Sequence, residues 1–247
     1  MAAAVAAAIG AVNMDPVSGA DRMTPLAHTT AMGFAWLIAA LGGLLFVPAW
    51  TLDFWQAWVY LVVFATASLS IAAYLWTYDR RLLAGRVKAG PGAEGSKTQN
   101  LIQSLASAAF AGMLIVPALD HRLAWSKVPL IGVLGGDVLV VLGFLIVFAV
   151  LRENPFAVGT VEVVADQRVI ATGPYAIVRH PMYAGALVML FGTPLALGSW
   201  WGFVVFAAIK LIIVWWLLAE ERFLAASLPG YTAYCVRVRY RLVPQIW

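Results

Sequence analysis

Six runs of about twenty apolar residues divide this chain, at 31–50, 53–76, 101–119, 129–151, 181–199 and 202–219. Each approaches the roughly 20 residues that an α-helix needs to cross the hydrocarbon core of a bilayer. Backbone polar groups find no water there, so only helices and closed barrels can span it. The sequence therefore predicts an all-α, polytopic membrane protein with about six transmembrane helices. Charge agrees: Asp, Glu, Lys and Arg make up only 11% of 247 residues, where soluble domains carry roughly 25%.

The connectors are 51–52, 77–100, 120–128, 152–180 and 200–201, with a polar tail from Glu220. Six spans place both termini on one side. That side holds one Lys or Arg in 1–30, five in 77–100, three in 152–180 and four after 219, against Arg122 and Lys127 on the other. By the positive-inside rule this predicts an integral, multi-pass protein with both termini cytoplasmic and the lipid bilayer as its partner. The net charge of +4 is spread over membrane flanks, which argues against a nucleic-acid partner. The single cysteine, Cys235, leaves no internal disulfide and no cysteine-based metal site, and no metal is expected.

Residues 1–30 read as an N-terminal tail. They open on an alanine run without the basic start of a secretory signal, and Met14 and Met23 leave the natural start open. The loop 77–100 has a Gly/Pro/Ser-rich centre that reads as a surface linker.

The polar residues converge at one place. Segments 181–199 and 202–219 are joined by Trp200 and Trp201 alone, so they form an antiparallel helical hairpin. Its two ends carry RHPMY (179–183) and EER (220–222). From Tyr183 to Ser199 is 16 steps and from Trp201 to Glu220 is 19, so at about 1.5 Å per residue both clusters reach nearly the same depth. Pro181 fits the first position of a helix, because its missing N–H would have gone unpaired there, and the amides behind it favour an anion. Tyr183 shares a helical face with His180, and Gly185 permits close approach of a backbone or a flat ligand. Glu220 and Glu221 are adjacent like charges pointing about 100° apart. They therefore need different partners: one a base such as Arg179 or Arg222, the other a ligand. Alone, the first cluster could equally be an interfacial anchor, and the second a pair of solvated carboxylates at a helix exit. Together they present anion-binding amides, an imidazole, phenols and two carboxylates at the mouth of an apolar bundle. A zwitterion with carboxylate, ammonium, sulfonium and ribose groups, such as S-adenosylmethionine, matches that set.

In order and spacing, GPYAIVRHPMYAG, the hydrophobic hairpin, EERFL and LPGYTAYCVRVRYRLVP resemble the integral-membrane methyltransferases related to isoprenylcysteine carboxyl methyltransferase and the phospholipid methyltransferases. The likeness is strong over about 150–247 and loose over 77–149. It implies a methyltransferase core at 101–247, a cytoplasmic cofactor site in 150–247 and an accessory helix pair at 31–76. It further implies S-adenosylmethionine contacts from Tyr175, His180, Pro181, Tyr183, Gly185, Glu220 and Glu221. Arg179, Arg237 and Asn154 would border the reacting groups, with Arg237 or Arg239 orienting an anionic substrate. The methyl acceptor would be lipophilic or small, bearing a carboxylate, thiol or amine. Sterol-type membrane reductases, which bind a nicotinamide cofactor, have a similar C-terminal half; here Met182 precedes Tyr183 and Ala186 follows Gly185, which favours methyl transfer. A non-catalytic membrane scaffold is the other alternative.

Smaller signals complete the sequence reading. Asp137 and Lys210 fall inside predicted spans at matching depth, where ionisable residues are costly, and are expected to form a buried ion pair. Residues 161–170 alternate apolar and polar side chains, as a short hairpin or extended lid would. Tyr231, Tyr234, Arg237 and Arg241 fall at helical spacing, which suits an interfacial helix over 230–241. The pairs Trp200-Trp201 and Trp215-Trp216 read as membrane anchors and packing rather than as a substrate cage.

Overall fold

A computed structural model describes residues 23–88, 97–157 and 168–247. Among them are helices α1 (Met23–Ala49), α2 (Trp55–Tyr78), α3 (Arg80–Lys88), α4 (Lys97–Leu123), α5 (Leu130–Glu153), α6 (Pro181–Ala196), α7 (Gly202–Ser227) and α8 (Tyr231–Arg237), with a 3-10 turn at Gly173–Ala176 and no strand. Five helices, α1, α2, α4, α5 and α7, are long and apolar enough to cross a membrane. The expected sixth, α6, has 16 residues. At 1.5 Å per residue it is about 24 Å long, short of the ~30 Å hydrocarbon core.

The tightest packing joins α5 to α6 in antiparallel fashion. Gly136 and Gly143 on α5 face Gly192 and Gly185 on α6, and a Cβ at Gly136 would lie 2.2 Å from the Ala196 nitrogen and 2.7 Å from the Gly192 oxygen. Small residues let membrane helix backbones touch, where lipid gives no hydrophobic drive for association. Around this pair, α2 packs on α5, α4 on α1 and α7, and α7 on α6. A continuous apolar core runs from Leu41 and Leu45 through Phe64 and Met113 to Phe144 and Met189.

Several boundaries differ from expectation. Helix α1 begins at Met23 rather than 31, and α7 continues to Ser227, so Glu220 and Glu221 still belong to a helix. The stretch expected to be a linker is helical on both flanks, α3 and the start of α4, while its Gly/Pro/Ser-rich centre lies outside the described residues, as does most of the alternating 161–170 segment. Helix α8 stops at Arg237, after which the chain doubles back: the Arg179 amide donates to the Tyr240 carbonyl at 2.8 Å and the His180 amide to the Arg241 carbonyl at 3.0 Å.

The Asp137–Lys210 ion pair does not form. Lys210 is exposed, and both Asp137 oxygens are buried without a hydrogen-bond partner among the described residues. Equal depth did not make the two neighbours, because α5 packs on α2 and α6 whereas α7 packs on α4 and α6. At the end of the bundle away from Glu220, Asp120 acts as a polar hub: Ser126 donates to it through N (2.7 Å) and Oγ (2.5 Å), and Ser199 through Oγ (2.5 Å).

Candidate active site

The hairpin brings RHPMY and EER together. The Tyr183 hydroxyl donates to Glu220 Oε2 at 2.5 Å. One residue further along α7, Glu221 turns to a different set: its Oε1 lies 3.2 Å from Arg179 Nη1 and 3.2 Å from His180 Nε2, and its Oε2 accepts from Arg241 Nε at 2.8 Å. The 100° rotation between successive helical residues separates the two carboxylates. Glu220 is left facing a cavity, and Glu221 clamps the returning C-terminal segment against the start of α6.

That cavity has a volume of about 870 Å3, toward the upper end of the 300–1,000 Å3 typical of small-molecule sites. Its polar end is formed by Asn154, Tyr175, His180, Tyr183, Glu220 and Tyr231. Its other walls are apolar and come from α1, α2, α4 and α5 as well as α7, among them Phe34, Leu69, Ile102, Phe144 and Ile213. The two front helices, expected to be accessory, thus help enclose it.

Local sequence explains how the polar end is held. Asn154 caps α5: its amide nitrogen donates to the Val150 carbonyl at 2.9 Å, while its Oδ1 accepts from the Phe156 amide at 2.9 Å. Its Nδ2 is then aimed at the Tyr175 hydroxyl, 2.9 Å away. Tyr175 sits in the 3-10 turn that Gly173 (φ +56) and Pro174 impose, and the Tyr234 hydroxyl donates to its carbonyl at 2.8 Å. Burial pushes the Tyr175 phenol up to about 12, with the hydrogen bond from Asn154 acting against that shift, so it stays a neutral hydrogen-bonding group at physiological pH. Burial raises Tyr231 and Tyr234 likewise.

Not all expected residues reach the cavity. Tyr175, His180, Pro181, Tyr183, Glu220, Asn154 and Arg179 line it. Gly185 does not: its Cβ position faces Gly143 and Ile146 at 3.0 Å, so it serves the α5–α6 contact. Glu221 lies on a separate shallow depression with Arg241. Arg237 is exposed on α8, away from the cavity lining, because Tyr231 and Tyr234 occupy the buried face of that helix. Among the lining residues that sequence reasoning missed are Arg86 and Trp216. Arg86, on α3, donates from Nη1 to the Ala157 carbonyl at 2.9 Å. Burial lowers it to about 10, still a cation at neutral pH. Trp216, expected as an anchor, faces the cavity while Trp215 is exposed.

Residues 131–229, from the start of α5 to just past α7, match the family described as phospholipid methyltransferase. The matched stretch supplies the glycine-packed pair, the hairpin and most of the cavity's polar end, and it agrees with the resemblance carried by the GPYAIVRHPMYAG and EERFL motifs. Helices α1 to α4 lie outside it. No curated protein matches the chain.

Proposed function

We propose that the protein is an integral-membrane methyltransferase that moves a methyl group from S-adenosylmethionine to a lipophilic acceptor at the cytoplasmic face of the bilayer. The observation that carries this reading is the Tyr183–Glu220 pair at the polar end of a largely apolar cavity, within the segment that matches a methyltransferase family.

The donor set fits such a cofactor. Glu220 offers a carboxylate to a sulfonium or ammonium, fixed in orientation by Tyr183. The Tyr231 hydroxyl is buried on the cavity wall with no partner among the described residues, free to bond a ribose or carboxylate oxygen. Asn154 and Tyr175 add a further donor and acceptor pair at the same end. When bound, the cofactor supplies an electrophilic methyl group on sulfur. The chain's own task is positional: to hold a nucleophile about 3–3.5 Å from that carbon and in line with it. Water exclusion by the apolar walls favours a step in which opposite charges disappear. Arg86, which lines the cavity where the exposed Arg237 does not, is a guanidinium able to place an anionic acceptor. Glu221 holds Arg179, His180 and Arg241 together and so keeps the C-terminal segment closed over the site.

Calorimetry on the purified protein with S-adenosylmethionine and with NADPH tests the reading. Binding of the first and not the second is expected. NADPH binding alone would make the protein a reductase, and binding of neither would leave a scaffold. A screen of labelled methyl transfer to prenylated thiols, fatty acids and aminophospholipids then identifies the acceptor.

A further inference from the structure

Gln103 lies in the first third of α4, is 1% exposed, and lines the cavity. Neither its Oε1 nor its Nε2 has a hydrogen-bond partner among the described residues. A buried amide with both ends unsatisfied is costly, and native interiors rarely retain one without a role. The other residues that α1 and α4 contribute to the cavity lining are apolar apart from Thr30. Ile102 and Ala106 flank it on α4, and Phe34 and Ile213 contribute from helices α1 and α7, on which α4 packs. The Thr30 hydroxyl of α1, on the same cavity, is also buried and without a partner among the described residues. These groups stand on helices other than those that carry Asn154, Tyr175, Tyr183, Glu220 and Tyr231. The cavity therefore has a second polar point, set in its apolar walls and furnished by elements outside the family-matched segment.

The geometry points to Gln103 as a specificity-determining residue that recognises the methyl acceptor, donating to and accepting from an uncharged polar group within an otherwise apolar body. This rests on the methyltransferase reading for the word acceptor, but not for the recognition itself. A carboxamide offers one donor and one acceptor site in fixed relation, and so suits an amide, ester or hydroxyl. An ionised group would meet no charged lining residue on α1 or α4, the helices that carry Thr30 and Gln103, and burying a charge unpaired is far more costly. A pure hydrocarbon would leave both ends of Gln103 unpaired. The acceptor class is thus an amphiphile with an uncharged hydrogen-bonding link between its reacting head and its apolar portion.

The test uses two probes of equal chain length, N-decylacetamide and tridecane, and reads the rise in melting temperature of the full chain in maltoside detergent with S-adenosylmethionine present. Wild type should respond to the amide at about tenfold lower concentration than to the hydrocarbon, the value of a neutral hydrogen bond. Gln103→Leu and Gln103→Met should lose that preference while binding S-adenosylmethionine as wild type does. Both substitutions remove an unsatisfied amide and keep its volume, so folding is retained. A wild type without preference would assign the amide to water and overturn the inference. Variants that keep the preference, or that lose cofactor affinity, would overturn it as well. If wild type fails to bind S-adenosylmethionine yet prefers the amide, the methyltransferase reading falls and the recognition role stands.

Discussion

Tyr183 donates a 2.5 Å hydrogen bond to Glu220 across the α6–α7 hairpin, joining residues 37 positions apart. The bond holds a carboxylate toward the cavity instead of letting it turn to the cations one residue away. Replacing Glu220 with Gln removes the negative charge and keeps the shape. Affinity for S-adenosylmethionine should fall by tenfold or more, the scale of a charge-assisted contact, and Tyr183→Phe should cost only a few-fold. Because the two act as a unit, the double variant should be less impaired than the sum of the singles. Additive losses in calorimetry would mean that Tyr183 does not act through Glu220.

Glu221 has the opposite character. Its carboxylate is 11% exposed and bonded to Arg179, His180 and Arg241. Glu221→Gln should destabilise the fold by roughly 2–3 kcal/mol, somewhat under the cost of breaking a fully buried pair. The segment after Arg237 should become sensitive to limited proteolysis, since its remaining hydrogen bonds to the start of α6 are those of the Arg239, Tyr240 and Arg241 carbonyls with Arg179 and His180. A variant with an unchanged melting temperature and an intact C-terminus would show that this clamp is dispensable.

The meeting of these clusters was legible in the chain because a short connector, with Tyr183 and Glu220 at similar residue counts on either side of it, fixes the depth of both ends, although that connector runs over 197–201 rather than the two tryptophans alone. Their division of labour was legible in outline, one carboxylate for a base such as Arg179 and the other for a ligand, but not which was which, nor the part of Arg241, which reaches Glu221 only through the return of the segment after Arg237. Depth alone also misled: Asp137 and Lys210 are level by count, yet helix rotation and neighbours decide contact, and those were set by Gly136, Gly143, Gly185 and Gly192. Arg86 escaped notice for a different reason. A Gly/Pro/Ser-rich centre made the whole 77–100 stretch read as linker, hiding the short helix that brings Arg86 to the cavity.

The glycine seam gives a paired prediction. At Gly136 an added methyl meets backbone atoms at 2.2 and 2.7 Å, which cannot yield as a flexible side chain would. Gly136→Ala should lower stability by about 2 kcal/mol or more, as overpacking does. Gly43, on α1, has nothing within 4 Å of its Cβ position, so Gly43→Ala should be neutral or stabilise by roughly 0.5–1 kcal/mol through helix propensity. Equal melting temperatures for the two variants would contradict the close α5–α6 approach.

Tyr175 provides a pH signature. Burial raises its phenol from 10.0 to about 12, with the charge of Glu220 adding to the shift and Asn154 and Arg86 opposing it. The neutral form is favoured in the fold, so this group's contribution is fully present below pH 10 and is lost as pH rises from 10 toward 12. A spectrophotometric titration should show one phenolate fewer appearing near pH 12 in Tyr175→Phe than in wild type, and the variant's stability should fall less steeply over that window. Identical alkaline profiles would place Tyr175 in a more open setting.

Asp120 separates stability from function. It is 1% exposed and accepts from the Ser126 amide, the Ser126 hydroxyl and the Ser199 hydroxyl, tying the end of α4 to the loop before α5 and to the α6–α7 turn. Asp120→Ala would strand the buried Ser199 hydroxyl and the two part-buried donors of Ser126, at about 1–3 kcal/mol for each that finds no substitute, so a drop in melting temperature is expected. Asp120→Asn keeps an acceptor oxygen and should lose less. Both variants should bind S-adenosylmethionine with wild-type affinity below their melting temperatures, because Asp120 lies at the end of the bundle away from Glu220. A selective loss of affinity in Asp120→Asn, without loss of stability, would instead mean that the two ends of the α6–α7 hairpin are coupled through its turn.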